Sequence, residues 1–84
     1  MEESFRANIY TPQRTIFEGK VSSLIVPAEL GYLGVLANHA PLVANLVPGK
    51  ITFREISGKV TELDSQEMGF LEVSNNNATV LLDS

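Results

Sequence analysis

The chain has 84 residues, a formal charge of −4, 44% hydrophobic and 19% charged residues, and no cysteine. This is room for one domain, residues 1–84, burying roughly two-thirds of its unfolded surface, with the composition of a folded globule rather than a disordered tail. Disulfides, thiolate metal sites and cysteine nucleophiles are excluded, one histidine cannot build an imidazole-rich metal site, and Arg6, Arg14, Lys20, Lys50, Arg54 and Lys59 are too dispersed to form a nucleic-acid surface.

The start, Met1-Glu2-Glu3-Ser4-Phe5-Arg6, is acidic where a secretion signal is basic. The apolar runs are about half a dozen residues long, against the roughly twenty of a membrane-spanning helix. Export by a signal peptide is therefore not expected, and any membrane association should be indirect. From residue 5, Phe5, Ala7 and Ile9 alternate with Arg6, Asn8 and Tyr10, the period of a half-buried strand. Thr11-Pro12-Gln13 turns the chain into a second short strand over 14–17, which is expected to stop at Glu18-Gly19 and to pair with the first as a hairpin. The β-branched stretch 20–26 is a third strand, ended by Pro27, which has no amide proton to give a ladder.

Gly31-Tyr32-Leu33-Gly34-Val35-Leu36 then reads as a turn entering a short strand, the two glycines supplying backbone conformations that a Cβ would resist. Asn38 and His39 break the apolar run, and Pro41 pushes Ala40 into an extended conformation, so a helix is disfavoured here. Residues 42–47 are apolar apart from Asn45, and Pro48-Gly49 is a turn. Further strands follow over 51–54, 60–63, 68–73 and 78–82, separated by Ser57-Gly58-Lys59, Asp64-Ser65-Gln66 and the polar loop Ser74-Asn75-Asn76-Asn77. The count is eight to ten short strands with turn signals about every eight to twelve residues, the pattern of an all-β antiparallel sandwich or barrel.

Chemistry is scarce. As a general base, His39 would need a nucleophile and an orienting partner that the sequence does not place; a turn residue capping the backbone is the simpler reading. Glu62, Asp64 and Glu67 lack the glycine and the ligand spacing of a calcium loop and read as a solvated strand edge. Gly31-x-x-Gly34 has neither the third glycine nor the Gly-Lys-Ser/Thr of a phosphate loop. No Gly-x-Ser-x-Gly elbow exists, and Asn77-Ala78-Thr79 matches the glycosylation sequon by chance if the chain is not exported. No catalytic, metal or cofactor residue is assigned.

Taken in order, Phe17-Glu18-Gly19, Gly31-Tyr32-Leu33-Gly34-Val35-Leu36, His39-Ala40-Pro41-Leu42, Pro48-Gly49 and Gly69-Phe70-Leu71-Glu72-Val73 resemble the N-terminal domain of the F-type ATP synthase epsilon subunit. The resemblance implies a β-sandwich of about ten strands. It further implies a non-catalytic subunit of the central stalk that links the gamma subunit to the c-ring, within the alpha/beta/gamma/delta/epsilon complex, and couples ion-driven rotation to ATP synthesis. By the same resemblance Glu29, Leu30, Gly31 and Tyr32 would face the c-ring, and His39, Leu42, Ala44 and Thr11 the gamma subunit. The apolar run 42–47 would supply outward-facing residues to the gamma interface.

The chain departs from the family at Tyr32, where several members carry an acid, so this contact is expected to be aromatic and hydrogen-bonding. Most members continue into a two-helix domain; this sequence resembles the short form without it. The implied location is peripheral, on the cytoplasmic face of a bacterial membrane or the energy-coupling membrane of an organelle. The rival reading is a free-standing sandwich binding a carbohydrate or peptide, which requires exposed aromatics gathered on one sheet.

Overall fold

The structure is a computed structural model and describes residues 3–83. It holds eight strands: β1 (Phe5–Tyr10), β2 (Thr15–Ala28), β3 (Gly31–Leu36), β4 (Leu42–Leu46), β5 (Gly49–Glu55), β6 (Val60–Ser65), β7 (Gly69–Ser74) and β8 (Asn77–Leu82). No helix occurs among the described residues. Strands β4, β7, β8, β1 and the first half of β2 form one layer; β3, the second half of β2, β5 and β6 form the other. All ladders are antiparallel except β1 with β8, which runs parallel from Arg6↔Asn77 to Tyr10↔Leu81.

The expected count of about ten falls to eight chiefly because the strands read over 14–17 and 20–26 are one. Glu18 and Gly19, taken as a stop, lie inside β2 opposite Asn8 and Ala7. A methyl on Gly19 would sit 3.0 Å from Cζ of Phe17, so the glycine leaves room for that ring. Phe17 in turn packs on Phe53, with centroids 4.2 Å apart at 34°, and this tilted pair joins the two layers. A register shift between Val21 and Ser23 marks where β2 leaves one layer for the other.

Pro27 does not end β2 either. Its carbonyl accepts the Val47 N–H, so its backbone faces away from β3 and the missing donor breaks no bond to that strand. The β2–β5 register ends at Ile25↔Thr52, and the next outward amide, that of Lys50, donates to the Tyr32 hydroxyl at 3.1 Å. A side chain therefore accepts the bond that the ladder no longer supplies.

Alternation decides the core. Phe5, Ala7, Ile9, Leu24, Val26, Val35, Leu46, Ile51, Phe53, Leu71, Val73, Ala78, Val80 and Leu82 point inward from every strand but β6 and are buried. The turn at Asn75-Asn76 closes β7 onto β8 with both residues at positive φ, 52° and 59°, the backbone of a two-residue hairpin loop that asparagine tolerates. Gly31 also uses its freedom, at φ 127°; Gly34 does not, contrary to its reading as a strained position, and is ordinary strand with open space where a Cβ would stand.

Candidate functional site

The two layers do not close along the side where β3 gives way to β4. At one end of this seam the Glu29 amide donates to the Asn45 carbonyl and Ala28 pairs with Leu46. At the other end, residues 37–41 carry the chain from β3 to β4. Between them lies an open groove of about 540 Å³, lined by Ala28, Leu33, Leu42 and Ala44 together with the 29–32 turn and Val43. Its floor is apolar because Ala28, Leu33, Leu42 and Ala44 are core-directed side chains left half-buried and packed against the core.

The groove gathers most of the residues named from the sequence. Glu29, Leu30, Gly31 and Tyr32 form one wall, and Leu42 and Ala44 line the other. The two sets therefore border one depression rather than standing on separate faces. Leu30, at the tip of the β2–β3 turn, is fully exposed (104%). Tyr32 is 63% exposed, yet its hydroxyl is engaged by the Lys50 amide; its ring lies beside Pro27 and Gly49, where a methyl on Gly49 would come within 2.7 Å of the Pro27 Cβ and 3.1 Å of the Tyr32 hydroxyl.

On β4, Leu42 and Ala44 turn toward the core and Val43, 63% exposed, turns outward. Val43 is thus the outward apolar residue of the run. The signal was present in the sequence: Leu42 and Ala44 share the parity of Leu46, which is buried, so Val43 must face the other way.

His39 sits in the connection. Its amide donates to the Leu36 carbonyl at 3.3 Å and its Nδ1–H to the Ala40 carbonyl at 2.7 Å, and no carboxylate or hydroxyl among the described residues is bonded to the ring. The connection is fastened from outside: Asn38, at φ 64°, donates its amide to Oδ1 of Asn76 at 2.7 Å, and Asn76 donates through Nδ2 to the Ser4 carbonyl at 2.9 Å.

Thr11 does not join this group. Its hydroxyl accepts from the amides of Gln13 and Arg14 and holds the β1–β2 turn. Register places it past Tyr10↔Leu81, level with Gly69 and Leu46, whereas His39 lies beyond Leu42↔Val73 at the opposite end of the first layer. Glu62 and Asp64 point outward from β6, and Glu62 is 3.4 Å from Lys50; no group of three or more His, Asp or Glu among the described residues is placed to hold a metal ion.

Charge is sparse along this seam, where Glu29 is the one charged residue lining the groove. From residue 30 to 49 there is no Asp, Glu, Lys or Arg, so both strands flanking the groove are uncharged, while the free outer strand β6 carries Glu62 and Asp64. The β-sandwich domain model of the ATP synthase delta/epsilon chain matches residues 4–84. The chain belongs to this family. An ATP synthase epsilon chain of Dichelobacter nodosus is 37% identical over 99% of this chain, and one of Chlorobium limicola 38% over 98%.

This chain spans 57% of the Dichelobacter relative's length and 92% of the Chlorobium one's. Among solved structures, a chain of the Euglena gracilis mitochondrial ATP synthase OSCP/F1/c-ring assembly superposes with a TM-score of 0.87, at 20% identity over 96% of this chain and 51% of that one. At that identity the likeness is one of fold, the delta/epsilon sandwich.

Proposed function

We propose that residues 1–84 act as a single epsilon-type domain of an ATP synthase. It has no active site of its own and couples ion-driven rotation to ATP synthesis as a spacer between the gamma subunit and the c-ring. The observation that carries this reading is the pair of uncharged strands, β3 and β4, that flank the groove and its apolar floor. Free strand edges are ordinarily guarded by charge, as β6 is, and an edge left unguarded next to exposed core residues fits a permanently covered surface. In this reading Leu42, Ala44 and Val43, with His39 at the end of the connection, meet gamma. The Glu29-Leu30-Gly31-Tyr32 turn, led by Leu30, meets the c-ring, and Thr11, which holds the β1–β2 turn, reaches gamma only if that interface runs the length of the first layer. The domain would sit peripherally on the cytoplasmic face of the membrane, reaching it through the c-ring.

Val43→Lys, which faces Glu72 across the β4–β7 ladder, tests the gamma contact without touching the core or setting like charges opposite one another. Capture of the gamma subunit by the tagged protein should fall about tenfold or more while the thermal midpoint stays unchanged, since an apolar side chain at an interface centre contributes roughly 1.5–3 kcal/mol. Undiminished capture would refute the assignment. Leu30→Asp should spare gamma capture and reduce retention on membranes containing the c-ring.

The carbohydrate- or peptide-binding reading requires gathered aromatics. Tyr32 lies on the second layer and Phe70 on the first, where Leu81 separates it from Tyr10. This scatter disfavours it.

A further inference from the structure

The β3–β4 connection, residues 37–41, has few ties to the rest of the fold. Ala37 packs against the core, but the amide and ring of His39 bond only to the nearby Leu36 and Ala40 carbonyls, and Pro41 has no N–H to donate. Among the described residues, every hydrogen bond from 37–41 to a distant part of the chain runs through Asn38. The shorter is the 2.7 Å bond from its amide to Oδ1 of Asn76; the other, from its Nδ2 to Oε1 of Glu3, is 3.5 Å long.

Asn76 is itself well anchored. Its carbonyl accepts the Arg6 amide at 3.3 Å and its Nδ2 donates to the Ser4 carbonyl at 2.9 Å. Both partners of the side chain are backbone groups with fixed roles, one N–H and one C=O, so the amide has a single orientation, and a carboxylate in its place would lack the donor. Asn38 and Asn76 have φ of 64° and 59°, where glycine is the least strained residue. The backbone at 76 thus asks only for glycine; asparagine adds a side chain that ties together the segment before β1, the β3–β4 connection and the β7–β8 turn.

Resting on the reading of His39 as a gamma contact, we propose that Asn76 is a positioning residue of that interface. Its side chain clasps the connection in place, so that His39 is offered in one arrangement before any partner arrives. Association then need not order the connection, a cost that binding otherwise bears.

Two glycine variants of one turn test this. Asn76→Gly keeps a residue suited to positive φ and deletes the clasp; Asn75→Gly, at φ 52° beside it, removes a side chain that enters neither bond. In the free wild-type protein the Asn38 amide should be protected from hydrogen exchange and the His39 backbone order parameter should lie near the rigid value of about 0.85. Asn76→Gly should speed exchange at Asn38 about tenfold or more and lower the His39 value below about 0.6, with exchange at Val73 and Val80 unmoved. Asn75→Gly should match the wild type at Asn38 and His39. No change in Asn76→Gly, or the same change in both variants, overturns the clasp.

Capture of co-expressed gamma supplies the second arm. Asn76→Gly should weaken it about threefold or more, and Asn75→Gly by less than about twofold. Equal capture by the two variants, with Asn38 loosened only in Asn76→Gly, overturns the positioning role and leaves the interface reading standing, since Val43→Lys judges that reading separately. No capture by the wild type overturns both.

Discussion

Tyr10 shows how one side chain acquires a measurable signature from its strand neighbours. Its hydroxyl donates to Oε2 of Glu18 at 2.6 Å, across the β1–β2 ladder, with the Arg6 guanidinium 3.9 Å from the same carboxylate. The hydrogen bond to Glu18 raises the Tyr10 pKa above its ordinary 10.0; partial desolvation and the repulsion a phenolate would meet from Glu18 add to this, and Arg6 opposes it. The folded state therefore holds the phenolic proton more tightly than the unfolded one. The stabilisation is complete below pH 10 and is lost as pH rises through the elevated value. An ultraviolet phenolate titration should show a component above the ordinary tyrosine range that disappears in Tyr10→Phe and moves back toward that range in Glu18→Gln. Gly69 makes a steric counterpart, since a methyl there would lie 2.5 Å from the Leu81 carbonyl oxygen, backbone that cannot step aside. Gly69→Ala should cost about 1–3 kcal/mol in denaturant unfolding.

At the scale of the element, β2 carries the architecture. It pairs with β1, β3, β4 and β5 in turn, so its bend, with the Val21/Ser23 register shift, sets how the layers face one another. Tyr32 braces its far end by reaching over Pro27 to accept the Lys50 amide, tying β3 to β5 across β2. Tyr32→Phe keeps the ring and removes the acceptor, and should lower stability by about 0.5–1.5 kcal/mol. Exchange at the Lys50 amide should quicken in the same variant, a local effect that loss of packing elsewhere would not reproduce. This tie also fixes how Tyr32 differs from a freely presented contact: the hydroxyl works inward while the exposed ring faces outward.

For the molecule as a whole, the proposed coupling role would call for stiffness, which a close-packed core supplies through its low compressibility. Phe53 is at the centre of that core, buried and stacked on Phe17 where the layers meet. Phe53→Ala should cost about 3–5 kcal/mol, a large part of the marginal stability of a domain this small. The thermal midpoint should fall accordingly, and gamma capture with it.

Much of the fold was legible along the chain. The alternation of Phe5, Ala7 and Ile9 with polar neighbours, the breaks at Pro48 and Ser57-Gly58-Lys59, and the Asn75-Asn76 turn each depend on local backbone preference and on a period of two, which need no partner to be read, although Gly49, read as part of the first break, already belongs to β5. The family was legible in the ordered set from Phe17-Glu18-Gly19 to Gly69-Phe70-Leu71-Glu72-Val73, which the domain match over residues 4–84 bears out. What required the tertiary structure was every property created by distant residues meeting. Glu18-Gly19 and Pro27 looked like strand ends because breakers are judged alone; only the Phe17 ring over Gly19 and the Tyr32 hydroxyl on Lys50 make a continuous β2 affordable. The parting of Thr11 from His39 and the groove joining β4 to the 29–32 turn likewise follow from ladder register between strands far apart in sequence. Local preference set the strands by itself, and long-range pairing decided which of their edges and faces were left for a partner.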